Sequence, residues 1–160
     1  MSSSYCETMR WLLTAFLPGV LLAATVSAAP ATGRVVKVLP HFLDCQGRHT
    51  LSPSLYDRDA YQAHLRQHPE ERSGLRFDIH WKAKGAAHPR LRVELRGVPK
   101  EKSAEKRVLE QPVRAKRWFG TWSAFTLSAV DCKELGEVTA WRVTLWDGEQ
   151  LLDEERSFLW

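Results

Sequence analysis

The stretch GLRFDIHWKAKG, residues 74–85, decides the fold, because apolar and polar residues alternate strictly along it. The apolar set is Leu75, Phe77, Ile79, Trp81 and Ala83, and the polar set is Arg76, Asp78, His80, Lys82 and Lys84. Successive side chains of a strand point to opposite faces, so this pattern predicts a strand that is buried on one side only. RLRVELRG, residues 90–97, repeats the alternation after the turn-like GAAHP, which predicts a second strand beside the first.

Five further segments predict strands, at residues 34–44, 106–114, 118–127, 138–146 and 149–160. Helical pieces are predicted only in connections, over about 57–68 and about 128–135, and Asp147-Gly148 is typical of a hairpin turn. The last third, with its helical turn ending at Gly136, Trp141 and the hairpin, resembles the end of an immunoglobulin-like domain. We therefore predict a mainly β fold, a seven-stranded antiparallel immunoglobulin-like β-sandwich over residues 29–160.

Residues 1–28 are typical of a secretory signal peptide. Arg10 precedes the apolar run WLLTAFLPGVLLAATV, and Val26-Ser27-Ala28 provides small residues for cleavage after Ala28. The alternative is a retained membrane anchor, but the run is short for a bilayer span and contains Pro18-Gly19. Either Met1 or Met9 serves as the start. The prediction is a periplasmic or secreted domain that does not span the membrane once the signal is removed.

A second resemblance lies in GRHTLSPSLYDRDAYQ, residues 47–62, followed by SGLRFDIHWKAK, residues 73–84. These segments are similar to a family of short secreted bacterial proteins of unassigned function. The resemblance implies export and a single domain, and it implies nothing about chemistry.

His64 and His68 lie one helical turn apart, as two metal ligands on a helix do. The glutamate of a zinc protease is missing between them, and no third ligand has a helpful spacing, although His41, His49 or Asp57 could approach in space. We therefore interpret the segment as a structural helix and predict no cofactor. A metal-dependent enzyme centred on the two histidines remains an alternative.

Signal cleavage would leave two cysteines, Cys45 and Cys132, in an oxidising compartment. If residues 106–114 form a strand, both cysteines follow strands that end at the same end of the sandwich. We therefore predict a disulfide between them.

No Gly-rich phosphate loop, G-x-S-x-G motif or suitable pair of carboxylates occurs, so the chain is not predicted to be an enzyme. Residues 72–118 carry fourteen Lys and Arg against five Asp and Glu, whereas residues 131–160 carry three against eight. This asymmetry indicates either an anionic partner or neutralisation across a sheet.

The candidate binding residues are aromatic and basic: Trp118, Trp122, Trp146, Arg114, Lys116 and Arg117. Exposed tryptophans beside basic residues suit a protein or an envelope polymer, anionic if the cations take part, and not nucleic acid. The tryptophans could instead be covered by a bulge or by loops. The predicted function is an exported, non-catalytic binding or assembly module of the cell envelope, and the alternative is a carbohydrate-binding module.

Overall fold

A computed structural model describes residues 30–99, 105–115 and 120–160. It confirms the mainly β prediction, and the described residues form seven strands and two α-helices. The strands are β1 (Thr32–Asp44), β2 (Arg72–Lys84), β3 (Pro89–Val98), β4 (Glu105–Pro112), β5 (Thr121–Ser128), β6 (Glu137–Asp147) and β7 (Gln150–Arg156). The helices are α1 (Leu55–Gln67) and α2 (Ala129–Leu135), with a short 3-10 helix at Pro69–Glu71. Within the described ranges, neither helix has the length and apolar character needed to cross a bilayer.

The strands form two antiparallel sheets with an immunoglobulin-like arrangement. The first sheet has the order β1-β2-β5 and the second has the order β4-β3-β6-β7. The fourth strand therefore pairs with β3, whereas constant-type immunoglobulin domains place it in the other sheet. The edge strand predicted around Pro112 is β4, which lies at one edge of the second sheet. Proline has no amide hydrogen to donate, and an edge strand tolerates it because only one side of the strand is paired.

The alternation of β2 and β3 forms the core. Their inward side chains and those of β5 and β6 are buried, namely Leu75, Phe77, Ile79, Trp81, Leu91, Val93, Leu95, Phe125, Leu127, Val143 and Leu145. Trp81 also has a polar atom to satisfy, and its Nε1 donates a hydrogen bond to Ser123 Oγ at 2.9 Å. For the apolar side chains of these strands, the period-two pattern of the sequence is therefore the pattern of burial.

The helix α1 packs against the free edge of β1. Ser54 caps its first turn by accepting a hydrogen bond from the Asp57 N–H at 3.4 Å, and Leu65 is fully buried. Gln62 binds the backbone of Phe42 twice, because its Oε1 accepts from the Phe42 N–H at 2.7 Å and its Nε2 donates to the Phe42 carbonyl at 3.0 Å. One side-chain amide thus takes the place of a neighbouring strand at this point of the edge.

The helix α2 connects the two sheets. Ser128 caps it by accepting a hydrogen bond from the Asp131 N–H at 3.2 Å, and Gly136 ends it with φ 74°. A Cβ at Gly97 would lie 2.2 Å from the Leu135 carbonyl oxygen, so the glycine lets β3 approach the end of α2 closely. Both helix boundaries follow the signals in the sequence.

The predicted disulfide between Cys45 and Cys132 is absent, since both are free thiols. Cys45 is exposed and its Sγ donates to the Glu71 carbonyl at 3.4 Å, whereas Cys132 is half-buried with its Sγ 4.0 Å from the Leu127 carbonyl. The two sulfur atoms therefore point to different backbone groups. Burial raises the pKa of the Cys132 thiol, and the charge of Asp131 adds to this.

Candidate functional site

The predicted binding residues do not form one surface. Lys116, Arg117 and Trp118 lie outside the described residues, and Arg114 is exposed. Trp122 pairs with His80 on the outer face of the first sheet, whereas Trp146 pairs with Arg90 on the outer face of the second. The two described tryptophans of the set thus lie on opposite faces of the sandwich.

The outer face of the second sheet carries a cluster that we name the basic face: Arg90, Arg92, Arg96, Lys106 and Arg142. Strand β3 provides the three arginines at alternate positions that point away from the core. The strand register places Lys106 opposite Arg96 and Arg142 opposite Glu94. Pairing in the sheet therefore concentrates charge that is spread over some fifty residues of the sequence.

Glu94 lies at the centre of the basic face and is only 2% exposed. Its carboxylate accepts hydrogen bonds from Arg142 Nε at 2.6 Å and from Arg142 Nη2, and it lies 2.7 Å from Lys106 Nζ and 3.4 Å from Arg92 Nη2. Burial by itself raises the pKa of Glu94, but the bonds from Lys106 and Arg142 outweigh it and lower that pKa. One buried negative charge is thus in contact with three cations, and one of these, Arg142, also has its Nη1 3.6 Å from Glu154 Oε2. Three cations against two carboxylates leave a positive excess.

Trp160 lies over one end of the basic face. The final strand stops at Arg156, earlier than predicted, because a turn follows in which the Trp160 N–H donates to the Ser157 carbonyl at 3.2 Å. Ser157 itself is fixed to β6, since its hydroxyl accepts from the Trp141 N–H at 3.0 Å. The Trp160 ring then lies 4.0 Å from Arg96 Cζ, 5.0 Å from Arg142 Cζ and 5.9 Å from Lys106 Nζ. These are cation–π distances.

Arg96 has no carboxylate within ion-pair distance among the residues that the structure describes. Its guanidinium therefore contacts the aromatic ring of Trp160, and its positive charge is not neutralised by a carboxylate of the described residues.

The other end of the basic face holds Trp146, whose Nε1 donates to Thr144 Oγ1 at 2.8 Å. Arg90 Cζ lies 5.5 Å from the Trp146 ring. A cavity of about 120 Å³ opens beside it, lined by Arg92, Glu94, Arg142, Thr144, Trp146, Leu151 and Glu154. Within the described chain, the buried Nε atoms of Arg90 and Arg92 have no hydrogen-bond partner. These two donors are unsatisfied and are enclosed by the surrounding side chains.

A separate groove of about 290 Å³ lies on the outer face of the first sheet. Its lining residues are Leu39, His41, His49, Arg58, Arg76, Asp78 and Trp122. Trp122 is 53% exposed and one of its faces stacks on His80, with ring centroids 4.9 Å apart. Burial lowers the pKa of His41, and the neighbouring His49 lowers it further, so this imidazole is neutral at neutral pH.

The two helical histidines acquire a partner that the sequence analysis missed. His64 Nε2 lies 2.9 Å from Glu71 Oε2, and the His64 and His68 rings stack with centroids 4.2 Å apart. The residues considered as third ligands lie elsewhere, since His41 and His49 line the groove of the first sheet and Asp57 accepts from Ser52 Oγ. The signal that could have found Glu71 is Pro69, which ends α1 and begins a 3-10 turn back towards it.

Comparison with known proteins adds no relative, because no family model matches the chain and no significant match appears among curated proteins or solved structures.

Proposed function

We propose that this protein is an exported, non-catalytic binding module of the cell envelope, and that it binds an acidic segment of another protein through the basic face. The observation that carries the proposal is the arrangement of Arg96, Lys106 and Arg142 beneath the ring of Trp160. Export rests on the signal-peptide pattern of residues 1–28.

The residue types favour a protein partner. Arginine and tryptophan are the side chains most often found at the energetic centres of protein interfaces. The basic face combines three arginines of one strand with aromatic rings at both ends, and its 120 Å³ cavity matches a side chain better than a whole small molecule. An acidic side chain in that cavity would lie beside the guanidinium groups of Arg92 and Arg142, which line it.

The same residue types suit binding better than catalysis. A guanidinium keeps its proton at every physiological pH, so an arginine cannot exchange protons with a substrate. The carboxylate of Glu94 is buried and already accepts from Lys106 and Arg142, which leaves it poorly placed to act as a base.

The test compares two variants of the basic face with two matched variants of the other sheet. Arg96→Ala and Trp160→Ala remove the open cation and the ring above it, and Arg34→Ala and Trp122→Ala remove an exposed arginine and an exposed tryptophan elsewhere. Each protein is immobilised and exposed to a native envelope extract, and the captured proteins are identified and titrated back.

The expected result is an acidic protein partner whose affinity falls at least about tenfold for the two basic-face variants and is unchanged for the other two. Binding should also weaken strongly at about 0.5 M salt, because exposed charges are screened. A partner whose affinity ignores Arg96 and Trp160 would contradict the proposal.

A second candidate, carbohydrate binding, is favoured by the groove of the first sheet. The exposed ring of Trp122 lies beside Asp78 and Arg76, and Arg76 reaches Asp78 Oδ1 at 2.7 Å. A flat aromatic face next to charged donors and acceptors is the chemistry that binds a sugar ring. Glycan binding that is lost in Trp122→Ala and kept in Trp160→Ala would favour this function over the first.

A further inference from the structure

The end of α1 brings together three side chains that ligate metals, His64, His68 and Glu71. One nitrogen of each ring and a carboxylate oxygen of Glu71 all lie within 4.8 Å of one another. We propose that these three residues form a binding site for a divalent transition-metal ion, with zinc as the favoured ion. The site lies beside the first sheet, so it is independent of the function proposed for the basic face of the second.

The local chain explains why the three residues meet. The spacing of four residues places His64 and His68 on one side of α1. Pro69 then begins the 3-10 helix, which brings Glu71 back to His64 at 2.9 Å. Arg72 holds this turn against the helix, because its guanidinium donates to the carbonyls of Leu65 and Arg66.

The hydrogen bonds assign a ligand atom to His68. Its Nδ1 lies 2.9 Å from the His64 carbonyl oxygen. A carbonyl can only accept, so Nδ1 carries the proton and Nε2 carries the lone pair that a metal ion could use. A bond from the second ring nitrogen to a backbone carbonyl is the arrangement that orients histidine ligands in metal sites.

His64 and Glu71 provide the other two ligands. His64 Nε2 and Glu71 Oε2 now share one hydrogen bond, and a metal ion would bind between them in place of its proton. The metal-bound His64 ring would be neutral with its one proton on Nδ1, and any further proton would be released to solvent. Ligand atoms of one zinc ion lie about 3–4 Å apart, given bonds of about 2.0–2.2 Å. The side chains of His64 and Glu71 are nearly half exposed, so small side-chain rotations are enough to bring the ligand atoms to this separation.

The ligand set and the surrounding charge decide which ion fits. Two imidazoles and one carboxylate suit zinc and its neighbours, whereas calcium and magnesium prefer oxygen ligands. Arg66 and Arg72 are the cations that adjoin these residues in the sequence, and the Arg72 guanidinium already donates to the Leu65 carbonyl near the end of α1. Glu70 and Glu71 balance the two positive charges.

The test is calorimetric titration of the protein with zinc chloride after treatment with a chelator and its removal. The variants are His64→Gln, His68→Gln and Glu71→Gln. Adjacent Glu70 gives a matched control, Glu70→Gln, and the exposed His88 gives another, His88→Gln. All five positions are exposed or half-buried, and thermal unfolding without metal shows whether each variant folds.

The expected result is one zinc ion per chain, with an affinity that falls at least about tenfold in each of the three ligand variants and is unchanged in both controls. Zinc should raise the unfolding temperature of the wild type and of the two controls but not that of the three ligand variants, because a ligand that binds the folded state stabilises it. The proposal is overturned if the wild type shows no binding at about 0.1 mM zinc, a concentration well above the dissociation constant expected of a functional zinc site. Equal losses in Glu70→Gln and Glu71→Gln would also overturn it, because they would indicate general attraction by negative charge.

Discussion

Replacing Asp44 with asparagine should remove a measurable and pH-dependent part of the stability of the domain. The Asp44 side chain is 5% exposed and accepts four hydrogen bonds, each at 2.8 Å, from the Gln46 N–H, the Arg48 N–H, Arg48 Nε and the Tyr61 hydroxyl. Burial by itself raises the pKa of Asp44, but these bonds outweigh it and lower that pKa to about 2. The carboxylate therefore joins the end of β1, the turn after it and α1.

The magnitude follows from this pKa. Lowering it from 3.8 to about 2 corresponds to about 2 kcal/mol of stability for the ionised form. Because the pKa is lower in the folded state, this stability is fully present above about pH 5, has fallen by about half near pH 3 and is lost as the pH drops below 2. Asparagine can keep the two backbone donors but offers Arg48 an amide in place of an oxygen, so we expect Asp44→Asn to lose about 2–3 kcal/mol at pH 7.

The assay is urea unfolding followed by tryptophan fluorescence at several pH values between 7 and 3, with buried Trp81 as a reporter. The control is Asp59→Asn, whose carboxylate is exposed beside Arg58 and should contribute less than about 0.5 kcal/mol. The difference between the wild type and Asp44→Asn should shrink by about 1 kcal/mol from pH 7 to pH 3. A difference below about 0.5 kcal/mol at pH 7, or one that does not change with pH, would refute the reasoning.

Three further results are expected. Tyr61→Ala should cost roughly 2–4 kcal/mol in urea unfolding and Tyr61→Phe only about 1–2, because the phenylalanine loses the hydrogen bond and keeps the packing; equal losses would contradict this. Gly97→Ala should lower the free energy of unfolding by about 1–3 kcal/mol, since the new Cβ meets the Leu135 carbonyl, and an unchanged urea midpoint would show that β3 can move away. In thiol titration of the folded protein, Cys45 should react faster than Cys132, whose pKa is raised by burial, and the reverse order would be incompatible with the structure.

The strands could be predicted because their signals are local. The alternation in residues 74–85 fixes which side chains of β2 are buried whatever the partner strands are. The turns and caps are equally local, and Ser128, Gly136 and Asp147-Gly148 act where the sequence places them. The placement of β4 in the second sheet could not be predicted from local signals, because it depends on which strand pairs with the remaining edge of β3.

The candidate sites depend on contacts that spacing does not reveal. Glu94 occupies an outward position of β3, where alternation predicts exposure, and it is buried because Arg142 and Lys106 lie over it from two other strands. The approach of Glu71 to His64 depends on a turn of three residues after Pro69. The position of Trp160 depends on Ser157, which ends the final strand, and nothing in the alternation of the last residues indicates that turn.

The hydrogen bonds of Gln62 have a consequence for the behaviour of the protein at high concentration. An open strand edge can recruit the same edge of a second copy and start a growing polymer. At Phe42 the donor and the acceptor of β1 are both occupied by one amide that cannot itself be extended by another chain. A single side chain thus blocks strand addition at this point of the edge, and a leucine at position 62 would leave both backbone groups of Phe42 open to a strand of a second copy.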